Sequence, residues 1–366
     1  MSKKFKILIA IGGTGGHVFP GCHLAQHLIE KKFDVELVTD KRGVKFLKNY
    51  QFLKISVLPA YPIKTQNIFS YLFSLNLIFF SIIRSLIFLI LKKPSLVFGM
   101  GGYASFPLCI AASILKIRFV IYENNLIIGK ANKKLLPFSK KILVSHKDLE
   151  GISKKYQNKL IEIGNIINKN IINFSKNYEK KETDAKKISL LILGGSQAAK
   201  IFAEKLPNIF LNCSNKGINL KIYQHCLPSQ NVDLESFYRK NKLDFKIFNF
   251  SENLIEYFIK TDLAITRSGS SILAELTNAN IPFIAVPLPS AADNHQFKNA
   301  LFYRRKNYAF LLEEQDLNDK LLNFIKKLSE DKSILNKTIN YQRQHSDKNV
   351  YKNIDQVLKE FLNEKN

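Results

Sequence analysis

A chain of 366 residues is longer than one hydrophobic core ordinarily serves, and 46% apolar with 23% charged residues is the balance of a folded protein, which excludes intrinsic disorder. The net charge of +25 suits a polyanionic partner, yet the basic residues are spread along the chain and do not alternate with aromatics; they accompany the abundant Lys, Ile, Asn and Phe and the absent Trp that an AT-rich genome gives, so nucleic acid is set aside and an anionic membrane surface or phosphorylated substrate is kept. Cys22, Cys109, Cys213 and Cys226 show no C-x-x-C spacing and no histidine at a zinc-like offset, which points to a reduced compartment and no structural metal.

The N-terminal Met1-Ser-Lys-Lys-Phe-Lys has the charge of a signal peptide's basic region, but the apolar run behind it ends at Ile11 in a glycine cluster. Residues 6–11 read instead as a parallel strand buried on both faces. After Gly12-Gly13-Thr14-Gly15-Gly16-His17 the spacing predicts a helix from about Pro20 to Lys32, then a strand over 35–39 that ends at Asp40. Strand, glycine loop, helix and strand make the opening unit of a doubly wound domain. The figure returns at 95–103, where a strand runs into Gly99-Met-Gly-Gly-Tyr103, and further strands are predicted at 119–125, with polar residues at its carboxyl end, and at 141–145. Residues 164–187 turn polar and read as a linker. At 188–197 the opening figure recurs, with strands to follow at 220–223, 262–266 and 283–286. The expected organisation is therefore α/β, with two Rossmann-like doubly wound domains: 1–163, 164–340, and a C-terminal helix over 341–366 that returns to the first.

Ile68 to Leu91 is apolar and long enough to cross a bilayer. Against a crossing stands Arg84 inside it, and a span would put the loop at 99–102 on the opposite side of the membrane from that at 12–16, although both belong to one sheet by pattern. Ser70, Ser74, Ser81, Arg84 and Ser85 share one helical sector. Two readings remain, a core helix and a core helix whose other face dips into lipid beside Lys64, Lys92 and Lys93; the second is preferred.

Chemistry concentrates at the glycine loops. Gly12 to Gly16 let backbone approach an anion at a helix start, although an ordinary tight turn has the same composition. The spacing departs from G-x-G-x-x-G, while Asp40 stands where a dinucleotide site has its ribose-binding acid. His17 can take a proton from a sugar hydroxyl near neutral pH, or simply make a structural hydrogen bond. Gly194-Gly195-Ser196-Gln197 can hold a diphosphate. In Arg267-Ser-Gly-Ser-Ser-Ile-Leu-Ala-Glu275 a carboxylate one turn into a helix can accept from both hydroxyls of a ribose. Asp293-Asn294-His295-Gln296 can read sugar hydroxyls.

In series these motifs, GGTGGHVFPG at 12–21, GMGGY at 99–103, GGSQ at 194–197, RSGSSILAE at 267–275 and DNHQ-x-x-NA at 293–300, resemble the MurG family, which adds N-acetylglucosamine to the lipid-linked muramyl-pentapeptide precursor of peptidoglycan. The resemblance implies a GT-B fold, two domains facing across a cleft that holds UDP-N-acetylglucosamine, with inversion at the anomeric carbon and no cofactor or metal. It implies donor binding by Thr14, Gly15, Gly16 and Asn125 of the first domain and by Ser196, Ser270, Ser271, Ile272, Leu273, Ala274, Glu275 and Gln296 of the second. His17 would be the base, Gly101, Gly102 and Tyr103 would meet the acceptor's diphosphate, and the protein would lie peripherally on the cytoplasmic face of the inner membrane. Three places depart from the family pattern. Gly164-Asn-Ile-Ile-Asn168 replaces Gly-Asn-Pro-x-Arg, so an arginine toward the donor diphosphate is missing and Lys169 is the candidate substitute. Tyr122-Glu-Asn-Asn125 replaces His-Glu-Gln-Asn, and Ala198 replaces a glycine. The rival readings are another GT-B transferase, a nucleotide-sugar epimerase, a non-catalytic nucleotide-sugar-binding membrane protein and, more distantly, a dinucleotide oxidoreductase.

Overall fold

The structure is a computed structural model that describes residues 5–177, 187–195, 199–249, 253–345 and 347–363. The chain forms two compact units, 1–167 with 348–366, and 168–347. The boundaries expected from the sequence, 163/164 and 340/341, fall four and seven residues earlier.

The first unit is built on β1 (Lys6–Ala10), β2 (Asp34–Thr39), β3 (Lys54–Val57), β4 (Leu96–Gly99), β5 (Phe119–Glu123), β6 (Lys141–Val144) and β7 (Leu160–Glu162). They form one parallel sheet in the order β3-β2-β1-β4-β5-β6-β7. Ile7, Leu8, Ile9 and Ala10 are fully buried, as a strand covered on both faces requires. The order reverses between β1 and β4, so the loops that leave their carboxyl ends flank the topological switch point, where ligands of open α/β sheets bind. Those loops open α1 (Gly15–Glu30) and, after α2 (Ile68–Lys92), α3 (Gly102–Ile114); α4 (Lys130–Leu135) follows β5.

The helix α1 begins at Gly15, ahead of the Pro20 start that its proline suggested, so Pro20 lies inside it. A proline there removes the N–H that would bond the carbonyl four residues back, Gly16. Asn124 Nδ2, at the end of β5, donates to Gly16 O at 3.0 Å and restores that bond.

The helix α2 is capped by a reciprocal pair, Asn67 and Ser70, with Ser70 N–H donating to Asn67 Oδ1 at 2.7 Å. It turns its small residues inward: Ser74, Ser81, Ser85 and Leu89 are its buried positions, and it packs on α3. Ser81 and Ser85 donate to the carbonyls of Leu77 and Ser81, each at 2.8 Å, so their hydroxyls are buried already satisfied. The apolar side faces out, with Phe69 80%, Phe73 63%, Phe79 63% and Leu91 74% exposed.

The second unit starts at α5 (Lys169–Asn177) and carries β8 (Ile188–Leu193), α6 (Lys200–Asn215), β9 (Leu220–His225), α7 (Asn231–Lys240), β10 (Asp244–Phe248), α8 (Ile255–Phe258), β11 (Leu263–Arg267), α9 (Ser270–Asn278), β12 (Phe283–Val286), α10 (His295–Arg305), β13 (Phe310–Leu311), α11 (Leu322–Glu330) and α12 (Ser333–Gln344). Its six parallel strands run β10-β9-β8-β11-β12-β13. Two Rossmann-like domains are thus present, as the repeated strand and glycine-loop figure predicts. The linker expected over 164–187 is corrected in its first half. Asn165, Ile166 and Ile167 are buried, and Asn168 opens α5 by accepting the Asn170 N–H on its own Oδ1 at 2.8 Å.

The last helix, α13 (Val350–Asn363), belongs to the first unit. His27 Nε2 and Lys31 Nζ of α1 meet Asp355 at 2.7 and 2.9 Å, Arg118 donates to Phe361 O at 3.0 Å, and the Tyr351 hydroxyl donates to Ile167 O at 2.6 Å.

Candidate active site

In the first unit the two glycine loops are brought side by side. A Cβ on Gly12 would meet Ala104 Cβ of α3 at 2.4 Å, so only glycine lets the loop after β1 pass the start of α3. His17, in the first turn of α1, lies flat against the second loop. Cβ atoms built on Gly101 and Gly102, both in the left-handed region at φ +91 and +70, would fall 3.1 Å from His17 Nδ1 and 3.2 Å from its Cδ2. His17 is half-buried, Thr14 exposed at the helix N-cap, and Gly102 and Tyr103 open α3 with partly exposed surfaces. The base candidate and the acceptor-loop candidates, Gly101, Gly102 and Tyr103, therefore occupy one place.

Asp40 does not stand as a free ribose acceptor. Its Oδ1 accepts the N–H groups of Gly43 at 2.9 Å and Gly13 at 3.4 Å, and its Oδ2 accepts from Arg42 Nε at 2.9 Å. It shapes the loop, and the dinucleotide reading loses its acid.

The end of β5 is organised by a residue the motifs did not single out. Glu123 is 2% exposed; its Oε1 accepts from Asn125 Nδ2 at 2.9 Å, and its Oε2 accepts from Gly129 N–H and Asn132 Nδ2, each at 2.9 Å. Three partners fix the carboxylate in place, and with it Asn125 at the strand's carboxyl edge. Tyr122, in the family's histidine position, donates to Gly164 O at 3.3 Å and accepts the Ile166 N–H at 3.1 Å. The proline of the family pattern has no N–H, so the two departures, Tyr122 and Ile166, form one hydrogen bond.

In the second unit β11 ends in a clamp. Arg267, 7% exposed, donates to Val286 O at 3.4 Å and Pro287 O at 3.2 Å and pairs with Glu314 at 2.6 Å. Gln296 Oε1 accepts the N–H groups of Ser268 at 3.2 Å and Leu288 at 3.0 Å, joining the loops after β11 and β12. Asp293 and Asn294 hold successive left-handed conformations, φ 52 and 55, which Asp and Asn adopt more readily than other side chains. Gly269 caps α9, and Ser270, Ser271, Ile272 and Glu275 lie on its first turns. Burial pushes the Glu275 carboxyl up from its ordinary 4.5 to about 7.

Two expected donor residues need correction. Leu273 and Ala274 are 0% exposed, and the Leu273 N–H is bonded to Gly269 O at 3.2 Å. They face the core because an α-helix with one side on a sheet buries positions three to four apart, and their side chains give no surface to a ligand. Ser196, with Gln197 and Ala198, lies outside the described residues; Gly194 and Gly195 before it follow β8 as expected. Lys169 is the first residue of α5, which packs on α9. Among the described residues no three His, Cys, Asp or Glu side chains gather into a metal site.

The glycosyltransferase family 28 N-terminal domain model matches residues 7–144, and the family's C-terminal domain model matches 189–356. A UDP-N-acetylglucosamine–N-acetylmuramyl-(pentapeptide) pyrophosphoryl-undecaprenol N-acetylglucosamine transferase of Pelagibacter ubique is 37% identical over 320 residues, 87% of each chain. The enzyme of the same name from Rickettsia bellii is 33% identical over 336 residues, 91% of this chain and 93% of that one. The crystal structure of Acinetobacter baumannii MurG superposes with a TM-score of 0.76 at 22% identity, covering 98% of this chain and all of that one, and shows the shared fold.

Proposed function

The chain belongs to the MurG family within glycosyltransferase family 28, and from that premise we infer that it transfers N-acetylglucosamine from UDP-N-acetylglucosamine to the lipid-linked muramyl-pentapeptide. The observation that carries the residue roles is the His17 ring resting on the Gly101–Gly102 loop, which supports a base beside the acceptor's anchoring point. The acceptor hydroxyl attacks the anomeric carbon, its proton passes to His17, the bond to the UDP oxygen breaks, and the sugar inverts. The leaving diphosphate gains charge as that bond breaks, so N–H groups at helix starts stabilise the transition state more than the ground state.

Donor recognition falls to Ser270, Ser271, Ile272, Glu275 and Gln296, with Ser196, and to Thr14, Gly15, Gly16 and Asn125. Glu275 accepts from the ribose hydroxyls in its ionised form. Lys169 supplies a point charge to the donor phosphates, since Asn168, in the arginine's place, is occupied as the cap of α5. Gly101, Gly102 and Tyr103 receive the acceptor's diphosphate.

The outward apolar side of α2 supports a peripheral position on the cytoplasmic face of the inner membrane, beside a lipid-linked acceptor. Half-burial of four of its exposed apolar side chains is worth about 3–6 kcal/mol, the scale of reversible attachment. Exposed Lys64, Lys93 and Arg84 favour anionic lipid. Lys92 does not join them, because its Nζ bonds both oxygens of buried Glu36 at 2.7 and 2.9 Å. Replacement of His17 by Ala tests the chemistry: the turnover number falls about 10²–10⁴-fold in a folded protein. An unchanged rate would remove His17 as the base.

A further inference from the structure

Arg42 is held on two sides next to both glycine loops of the first unit. Its Nε donates to Asp40 Oδ2 at 2.9 Å, and its guanidinium lies 3.9 Å from the centre of the Tyr103 ring. Asp40 is itself fixed, 3% exposed, by the N–H groups of Gly43 and Gly13. A Cβ on Gly13 would lie 3.5 Å from Arg42 Nη2, so the guanidinium borders the loop that precedes α1. Tyr103 lies in the first turn of α3, so the same group also borders the second loop. The side chain nevertheless stays 45% exposed.

An arginine that merely balanced Asp40 would not need the Tyr103 stack. Nε alone serves Asp40, while the terminal nitrogens remain beside Gly13 at the point where the sheet order reverses between β1 and β4. A guanidinium offers five N–H donors in a planar fork that matches phosphate oxygens, and one whose orientation is already set loses little freedom on binding. Both loops end at helix starts, whose N–H groups favour the same charge.

We propose that Arg42 binds the diphosphate of the lipid-linked acceptor, oriented for it by Asp40 and Tyr103. This rests on the reading of Gly101, Gly102 and Tyr103 as the acceptor loop.

The test is steady-state kinetics of the full-length enzyme with a short-chain polyprenyl-diphosphate-linked muramyl-pentapeptide as the varied substrate. Arg42→Gln raises the acceptor KM tenfold or more, with donor KM and kcat within twofold; Arg42→Lys, which keeps the charge without the fork, falls in between. An unchanged acceptor KM in both variants overturns the proposal, and so does an equal rise of acceptor and donor KM with a lowered melting temperature, which marks a purely structural arginine. Gly102→Ala, measured alongside, separates the two levels. If it raises the acceptor KM while the Arg42 variants do not, the role of Arg42 alone fails; if neither does, the acceptor-loop reading fails as well.

Discussion

Glu275→Gln separates a cost to the fold from a gain in donor binding. Burial raises the carboxyl from 4.5 to about 7. Between those values the folded chain holds a proton that the unfolded chain has released, so the carboxyl's contribution to stability falls as pH rises through that window and the whole penalty is present above it. At about 1.4 kcal/mol per pH unit the interval is worth about 3 kcal/mol. Glutamine has no charge to desolvate, so the variant gains that amount at pH 8 and nothing at pH 4.5. For a unit of this size the gain corresponds to a melting shift of roughly 6–12 °C. Donor affinity moves the other way, because a charge-assisted bond contributes about 1.5–3 kcal/mol and its loss raises the donor KM roughly 10- to 100-fold. In the wild type the donor KM rises as pH falls below 7, where Glu275 takes up its proton. Differential scanning calorimetry at pH 5 and 8, with donor kinetics across the range, reads both effects. An equal melting shift at the two pH values would exclude a buried titrating carboxyl at 275, and a donor KM indifferent to the substitution would remove Glu275 from the donor site.

Other perturbations probe separate parts of the account. Lys169→Ala raises the donor KM severalfold and leaves the acceptor KM alone; an unchanged donor KM removes Lys169 from the phosphate site. Replacing Phe69, Phe73 and Phe79 together by Ser releases the protein from anionic vesicles in a flotation assay without lowering its melting temperature, since all three are exposed; continued flotation contradicts the lipid-facing reading of α2. Raising salt weakens wild-type binding but does not abolish it, because the apolar term is insensitive to screening. Asn124→Leu leaves Gly16 O without its donor and costs about 1–3 kcal/mol, read by urea unfolding; a smaller loss means that the Pro20 gap is filled otherwise.

The sheets and the glycine loops were legible because buried parallel strands are continuous apolar runs and because tight strand-to-helix passages demand glycine. The start of α1 was misplaced for an equally local reason. Pro20 signals a first turn, and the donor that meets the carbonyl it leaves, Asn124, is a spatial neighbour more than a hundred positions away. The serine sector of α2 was visible in the sequence, but its direction was not. Periodicity separates two faces without saying which one is buried, and hydroxyls that bond their own helix carbonyls invert the usual answer. Edge strands β10 and β13 lack the apolar run of central strands and were missed, with burial only partial along both. Among site residues, Ser270, Ser271, Ile272 and Glu275 gather on one helix as the motif suggested, whereas Leu273 and Ala274 were carried by contiguity in the motif and point to the core. Glu123 and Arg42 carry no sequence motif of their own: Glu123 gathers Asn125, Gly129 and Asn132 from the segment that follows β5, and Arg42 meets Tyr103 from a distant loop. A carboxylate hub leaves one signal in sequence, a lone acid at a strand's carboxyl end, and Glu123 has it.

Sugar transfer to a lipid-linked acceptor is the activity that defines this chain. Purified enzyme given UDP-N-acetylglucosamine labelled in the sugar and undecaprenyl-diphosphate-linked muramyl-pentapeptide should move the label into a lipid-extractable disaccharide with inverted anomeric configuration, dependent on both substrates. Label that stays in UDP-sugar as an epimer formed without acceptor, or no turnover by protein that binds the donor, would contradict it.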